Sequence, residues 1–376
     1  MTRWWIAFVA VVVAMALPSP ASALEWTVVG PRAAGMGGAG VAVTTDALAT
    51  YWNPAGLAMS KTVDIRIQGS VQAIDRAEYV TSLKDLNDLD PSNPANLAQA
   101  QALATQINQP GASLTMNGAA GLYVKGFLGD HAFGFNLSDV ASGGSFVSTP
   151  VTATPSGTGF AVNGQLAVRG LEQRQVVFSY AYAFADRTFS IGITGKIIQG
   201  AAYNGSATIA GTSSTTDIVK DFGKPSISTS YGIDVGALFR PTPWLRLGIV
   251  AKDLNQPTFD APGGVGLRLT PQVRGGVAIN PYSSLTITSD MDITSNQTFV
   301  PNQNSQMLSV GAEQTLLSEF LSLRIGVLKD VQDAKSPPTP TAGLGLRIFA
   351  LRVDVGAGYD FRQGGALASG SLALTF

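Results

Sequence analysis

The last eleven residues, Ala-Leu-Ala-Ser-Gly-Ser-Leu-Ala-Leu-Thr-Phe (366–376), alternate strictly. Ala368, Gly370, Leu372, Leu374 and Phe376 share one face; Ser369, Ser371, Ala373 and Thr375 share the other. A strand that is apolar on one side only, about 9–11 residues long and closed by an aromatic residue, fits a tilted bilayer crossing. Such a strand cannot sit in lipid with its backbone groups unpaired, so the sheet it belongs to must close on itself. The expectation is an all-β chain, a closed antiparallel transmembrane β-barrel.

Fourteen segments after Lys61 carry the same signature, near 62–73, 116–126, 131–141, 171–184, 189–203, 226–240, 245–257, 267–280, 284–295, 306–317, 321–331, 340–349, 351–362 and 365–376. Val63, Ile65, Ile67 and Val71 oppose Asp64, Arg66, Gln68 and Gln72; Leu351, Val353, Val355, Tyr359 and Phe361 oppose Arg352, Asp354, Asp360 and Arg362. One face suits hydrocarbon and the other a polar interior. The connections alternate in length. Loops are expected near 74–115, 142–170 and 204–225, separated by tight turns such as Phe127–Asp130, Ala185–Thr188 and Pro241–Trp244. Short periplasmic turns facing long extracellular loops, with both chain ends on the short-turn side, are what such a barrel requires. Pro94–Ile107, with Asn93 as N-cap, reads as a short loop helix whose weak apolar face packs on its neighbours.

Only 13% of residues are charged, low for a water-exposed surface, and the formal charge of −1 with no basic cluster argues against nucleic acid. Arg3, the apolar stretch Trp4–Leu17 and Ala21-Ser22-Ala23 form a secretory leader, residues 1–23, with cleavage after Ala23. The absence of cysteine removes lipidation at an N-terminal Cys, disulfides and thiolate metal sites.

Residues 24–61 do not alternate. Gly35, Gly37 and Gly40 match G-x-G-x-x-G, but the following Val41-Ala42-Val43 is not the helix a dinucleotide site needs. The segment reads as close-packing backbone, then a turn capped by Asp46, then a stop at Asn53-Pro54. The run Gly-Met-Gly-Gly-Ala-Gly (35–40), Asp46 and Asn53-Pro54-Ala55-Gly56-Leu57 resembles the FadL/TodX superfamily of outer-membrane hydrophobic-compound transporters, and within it the PorV/TraF-like branch. The resemblance implies a barrel of about fourteen strands (62–376) with residues 24–61 folded inside as a hatch. It implies gating roles for Gly35, Gly37, Gly38, Gly40, Asp46, Asn53, Pro54 and Ala55.

Catalysis has little to work with. The single histidine, His131, stands beside Asp130 in a tight turn, away from any site that could hold a Ser/His pair. Asp85, Asn87, Asp88 and Asp90 gather in the first loop, but Leu89 interrupts a calcium-loop pattern, so a solvated acidic loop is the better reading. No cofactor is expected. Lumen-facing charges, among them Asp64, Arg66, Arg352, Asp354, Asp360 and Arg362, mix both signs. A selectivity ring would concentrate one sign; a mixture braces the wall and an inserted segment. Arg32 is a candidate partner for those carboxylates.

Two functions follow. One is a passive outer-membrane channel for small hydrophobic compounds, fatty-acid-like or aromatic, gated by the hatch. The other is a PorV-like scaffold whose loops bind exported proteins. Outer-membrane lipid and lipopolysaccharide would surround either. An apolar tunnel would favour the first and a sealed lumen the second.

Overall fold

A computed structural model of the chain describes residues 23–210, 224–333, 336–362 and 364–376. Residues 1–22 of the expected leader (1–23) and most of the expected loop at 204–225 lie outside the described residues. Fourteen antiparallel strands close into one barrel. The first seven are β1 (Asp64–Arg76), β2 (Ser113–Leu128), β3 (His131–Ser156), β4 (Gly159–Phe184), β5 (Phe189–Ala210), β6 (Ser226–Thr242) and β7 (Leu245–Lys252). The rest are β8 (Gln272–Tyr282), β9 (Leu285–Asp292), β10 (Met307–Leu316), β11 (Leu321–Asp330), β12 (Thr339–Ile348), β13 (Leu351–Tyr359) and β14 (Ala366–Thr375). Strands adjacent in sequence pair in space, and β14 closes on β1 from Ala366↔Ala73 to Thr375↔Asp64. Val63 and Phe376 add two backbone hydrogen bonds of 3.0 and 2.9 Å below that ladder. No helix among the described residues is long and apolar enough to cross a membrane; strands make the crossing.

The faces are as the alternation predicts. Ile65, Ile67, Val71, Val353, Val355, Leu372 and Leu374 are exposed on the outside, while Asp64, Arg66, Gln68, Asp354, Ser369 and Ser371 are buried inside. The wall is not of even height. β3 and β4 run 26 residues each and β5 runs 22, whereas β7 and β9 have 8.

Residues 142–170 are therefore not a loop. They continue β3 and β4 as one hairpin that turns at Gly157, where φ is +58°. Gly143, Gly144, Pro150 and Pro155 look like strand breakers. Yet Pro150 falls within the register shift between Thr149 and Thr152, and Pro155 stands near the hairpin end. Proline costs little at such irregular or terminal places. The outward face of this extension holds Val151, Ala153, Phe160, Val162 and Leu166. Helices α3 (Tyr79–Asn87) and α4 (Leu97–Ile107) of the first loop cover it with Tyr79, Leu86, Ala100, Ala104 and Ile107. The α4 helix was expected, preceded by a 3-10 turn over Pro94–Asn96; α3 was not.

Two expected strands are shorter than the sequence suggests. β7 stops at Lys252 and β8 starts at Gln272 because Asp253 and Gln256 take φ of +54° and +56° and Pro257, Pro262 and Pro271 interrupt pairing. Between them a small hairpin, Thr258–Ala261 with Val265–Arg268, packs Phe259 against Leu171, Ile198 and Ala202 of the wall.

Candidate functional site

Residues 24–61 occupy the lumen. At the long-loop end, Ala23 and Leu24 bridge Asn296 and Gln297 in parallel, and Thr27 Oγ1 lies 3.5 Å from Ser142 Oγ on β3. At the short-turn end Lys125 of β2 donates from Nζ to the carbonyl oxygens of Thr45 at 2.7 Å and Ser60 at 3.0 Å. Lys125 was not singled out in the sequence, although a lysine on the inward register of a strand was the available signal.

The glycines lie where backbone meets backbone. Helix α1 (Pro31–Gly35) opens with proline in its first turn. Gly37 follows with φ +68°, and a side chain there would run into the carbonyl oxygens of Val327 and Val310 on the wall. The wall reciprocates with inward glycines. Gly326 and Gly311 meet Met36 and Gly37, Gly343 and Gly356 meet Gly35, Gly236 meets Asn53, and Gly192 meets Pro54. That inward-glycine footprint was legible as glycines on the polar face of strands, but its meaning was not. Gly38 packs by Val28 and Leu328. The amides of Gly40 and Val41 donate to Asp290 Oδ2 at 2.6 and 2.7 Å. In the glycine motif, a wall carboxylate thus holds amides of the kind a dinucleotide phosphate would use.

Asp46 and Asn53 organise the second half. Asp46 Oδ1 accepts from the Leu48 amide at 3.0 Å, and its Oδ2 lies 3.2 Å from Arg66 of β1. Burial pushes this carboxyl up, but the guanidiniums of Arg66, Arg32 and Arg352 outweigh it and hold Asp46 below the usual carboxylate range. The four-residue helix α2 (Ala49–Trp52) ends at Asn53, whose extended backbone (φ −163°) breaks it before Pro54. Asn53 is wholly buried. Its Oδ1 accepts from the Ala55 amide at 3.1 Å; its Nδ2 faces the carbonyl oxygens of Val41, Ala237 and Ile249 at 3.2–3.3 Å. One amide side chain therefore ties the glycine-rich stretch to β6 and β7. Ser190 of β5 donates to Ala55 O at 2.9 Å.

The lumenal charges form a connected network. Arg32 holds Glu313 through Nη2 at 2.6 Å, and Glu313 also binds Arg324 at 2.7 Å. Arg324 continues to Asp354 at 2.7 Å, and Asp354 to Arg66 at 3.5 Å and Arg352 at 3.3 Å. Arg66 closes the chain on Asp64 at 3.3 Å. Arg32 and Asp46 belong to the lumenal segment and the rest to the wall. Asp360 is buried, whereas Arg362 is exposed, in the turn after the strand rather than on its inward register. β13 ends at Tyr359, and a turn through Gly364 (φ +73°) carries Arg362 out before the alternation reaches it.

Beside this network stands an aromatic cluster that sequence reasoning passed over. Trp26 stacks on Trp52 at 6.1 Å, and Tyr51 meets Trp52 edge-on at 5.6 Å. Lys252 Nζ lies 3.2 Å from the Tyr51 ring centre and 4.0 Å from that of Trp26. Tyr51 Oη donates to Thr27 O and Trp52 Nε1 to Val29 O, both at 2.7 Å. Between the cluster and β3–β8 a cavity of about 50 Å³ is lined mainly by polar groups, including Asn136, Ser142, Gln173, Gln175 and Lys196. That volume holds a few waters and no drug-sized ligand. Burial pushes the Glu25 carboxyl up, against the pull of Arg76 and the hydrogen bond from Asn117.

His131 sits on the outer face, its Nδ1 2.8 Å from Tyr180 Oη and its ring 4.8 Å from Tyr182. It belongs to an aromatic border at the short-turn end and not to the lumen. The acidic loop residues Asp85 and Asn87 lie in α3, and Asp90 accepts from the amide and hydroxyl of Ser92 at 2.9 and 2.7 Å. Among the described residues no group of His, Cys, Asp and Glu is placed to hold a metal ion.

These features define a closed fourteen-stranded antiparallel β-barrel with a filled lumen. By sequence the chain belongs to the family described as "F plasmid transfer operon, TraF, protein", whose model matches residues 50–292, well over half of it. Among solved structures it resembles the Ralstonia pickettii toluene transporter TbuX, at 15% identity, 92% of this chain and 97% of that one, with a TM-score of 0.55. The P. putida toluene transporter TodX aligns at 11% identity over 92% and 96%, TM-score 0.50. The monoaromatic hydrocarbon channel CymD aligns at 14% over 94% and 98%, TM-score 0.52. Among curated proteins none matches the chain in sequence.

Proposed function

We propose that this protein is an outer-membrane channel for passive uptake of small hydrophobic compounds, with residues 24–61 as its hatch. The long loops face the cell exterior and the short turns the periplasm, and the leader (1–23) is removed on export. The observation that carries the proposal is a filled barrel matching TbuX, TodX and CymD over nearly their whole length, with a filling that meets the wall through ion pairs and hydrogen bonds. Leu171, Ile198, Phe259 and Leu269 form a buried apolar cluster toward the long-loop end, which a hydrophobic solute would reach as the hatch moves. Passage follows when the stretch Gly35–Gly40 slides on the wall glycines and the Asn53-Pro54-Ala55 latch opens. Arg66, Asp64, Arg352 and Asp354 brace the wall against which the hatch moves. No step in this function requires catalysis or a cofactor.

The test is toluene flux into proteoliposomes carrying wild type or Asn53→Ala. The account expects flux in wild type and a changed flux in a variant that remains a folded, inserted barrel. A second reading, a scaffold that binds exported proteins through its loops, draws on the small polar lumenal cavity and on the tall β3–β4 extension. Absent flux in wild type, with an exported protein recovered on mild extraction, would decide for the scaffold.

A further inference from the structure

The lumenal segment covers two wall cations with the faces of its own rings. Lys252, the last residue of β7, and Arg274 of β8 are 5% and 1% exposed. Lys252 Nζ lies 3.2 Å from the ring centre of Tyr51 and 4.0 Å from that of Trp26. The Arg274 guanidinium lies 5.1 Å from the ring of Trp26 and 5.9 Å from that of Trp52. In each contact the cation belongs to the wall and the ring to residues 24–61.

The two cations are not equally provided for. Arg274 holds Asp292 at 2.9 Å. Lys252 has no carboxylate within ion-pair distance among the described residues: Asp234 and Asp253, which line the same cavity, are both held by Lys196, at 2.8 and 2.6 Å. An ammonium taken out of water needs a compensating partner, and the negative face of an aromatic ring supplies one. For Lys252 the rings of Tyr51 and Trp26 are that partner. Tyr51 donates to Thr27 O and Trp52 to Val29 O, so these polar groups are satisfied within the segment and leave the wall with it. Whatever then stands over Lys252 meets the same uncompensated charge. From Cβ outward the Tyr51 side chain is a para-cresol group, toluene with one hydroxyl added. The space it vacates, joined to the adjacent cavity of about 50 Å³, suits a single ring.

We propose that Lys252, with Arg274 beside it, is the specificity-determining site of the channel: it takes the face of a solute's ring in the place that Tyr51 and Trp26 fill at rest. The inference rests on the uptake reading above. The rings of the hatch are then resident ligands that a solute must displace. A saturated compound of the same size has no negative face to offer and displaces them poorly. Among rings of one shape, preference follows the negative charge on the ring face.

The test compares toluene, trifluoromethylbenzene and methylcyclohexane in proteoliposomes carrying wild type, Lys252→Met or Lys252→Arg, with the leak into protein-free vesicles subtracted. Wild type should pass toluene about fivefold or more faster than methylcyclohexane, with trifluoromethylbenzene between them. Lys252→Met keeps the length of the side chain without its charge and should bring the three rates within about twofold of one another. Lys252→Arg should keep the wild-type order. That order is itself a test, independent of whether the methionine variant folds. Absence of flux for every solute in wild type overturns the uptake reading and this inference with it. Wild type that passes all three alike, or a toluene preference that survives Lys252→Met, overturns the inference alone and leaves a working channel.

Discussion

The two faces of a single strand obey different rules. Toward lipid, β13 presents Leu351, Val353, Val355 and Tyr359, all exposed. Toward the lumen it presents Arg352, Asp354 and Gly356. Asp354 binds three guanidiniums, and Gly356 makes room for the Pro31 carbonyl. Lipid asks only for hydrocarbon, so the outer face is specified by class. The lumenal segment asks for one partner at each place, so the inner face is specified residue by residue.

The sharpest way to break that comparison is to remove one inner partner. Glu313→Ala leaves half-buried Arg32 and fully buried Arg324 without their shared carboxylate, and breaking a buried pair costs about 3–5 kcal/mol. Urea unfolding of the barrel in vesicles should show that loss. On the outer face, Val355→Arg should cost about 2–4 kcal/mol if the position is at mid-membrane. Equal folding of this variant and wild type into bilayers would put the face assignment in error.

Asn53→Ala removes an amide with four backbone contacts and should cost about 1–3 kcal/mol, read by the same titration. By contrast, Val353→Leu on the lipid face should stay within about 1.5 kcal/mol. The smallest effect is that of acid. Asp46 is held below the usual carboxylate range, so its folded form is ionised above the ordinary aspartate value of about 3.9 and its contribution is complete there. That contribution is lost as pH falls through the depressed folded value. The difference in urea stability between wild type and Asp46→Asn should therefore hold steady through mildly acidic pH and shrink only below that range.

What was legible in the sequence follows from the same contrast. The alternation of Ile65, Ile67 and Val71 with Asp64, Arg66 and Gln68 exposes the outer face because burial in lipid depends on residue class and period alone. All fourteen strands were visible in this way. The tall hairpin was hidden because Pro150 and Pro155 signal breaks that register shifts absorb. The inward hairpin at 258–268 was hidden because its apolar residues continue the strand pattern while Asp253 and Gln256 turn the backbone away. The motif residues Gly37, Gly40, Asp46 and Asn53 stood out through resemblance. Their partners Asp290, Lys125, Lys252 and Gly326 did not, since contacts across the lumen join residues far apart in sequence and leave no local period. Arg362 shows the limit of the period itself: the pattern ran on for three residues after the strand had ended at Tyr359.

The central claim is that the lumenal segment must move for solute to pass. The chain has no cysteine, so an engineered pair stands alone. Thr27 on the segment and Ser142 on β3 bring their hydroxyl oxygens to 3.5 Å, close enough for Thr27→Cys with Ser142→Cys to be joined after small adjustments. Toluene flux is then measured in proteoliposomes of the double variant, oxidised and then reduced. The account predicts flux in the reduced form, its loss on oxidation and its return with reductant, while wild type ignores both treatments. Equal flux through the oxidised and reduced barrel would contradict it.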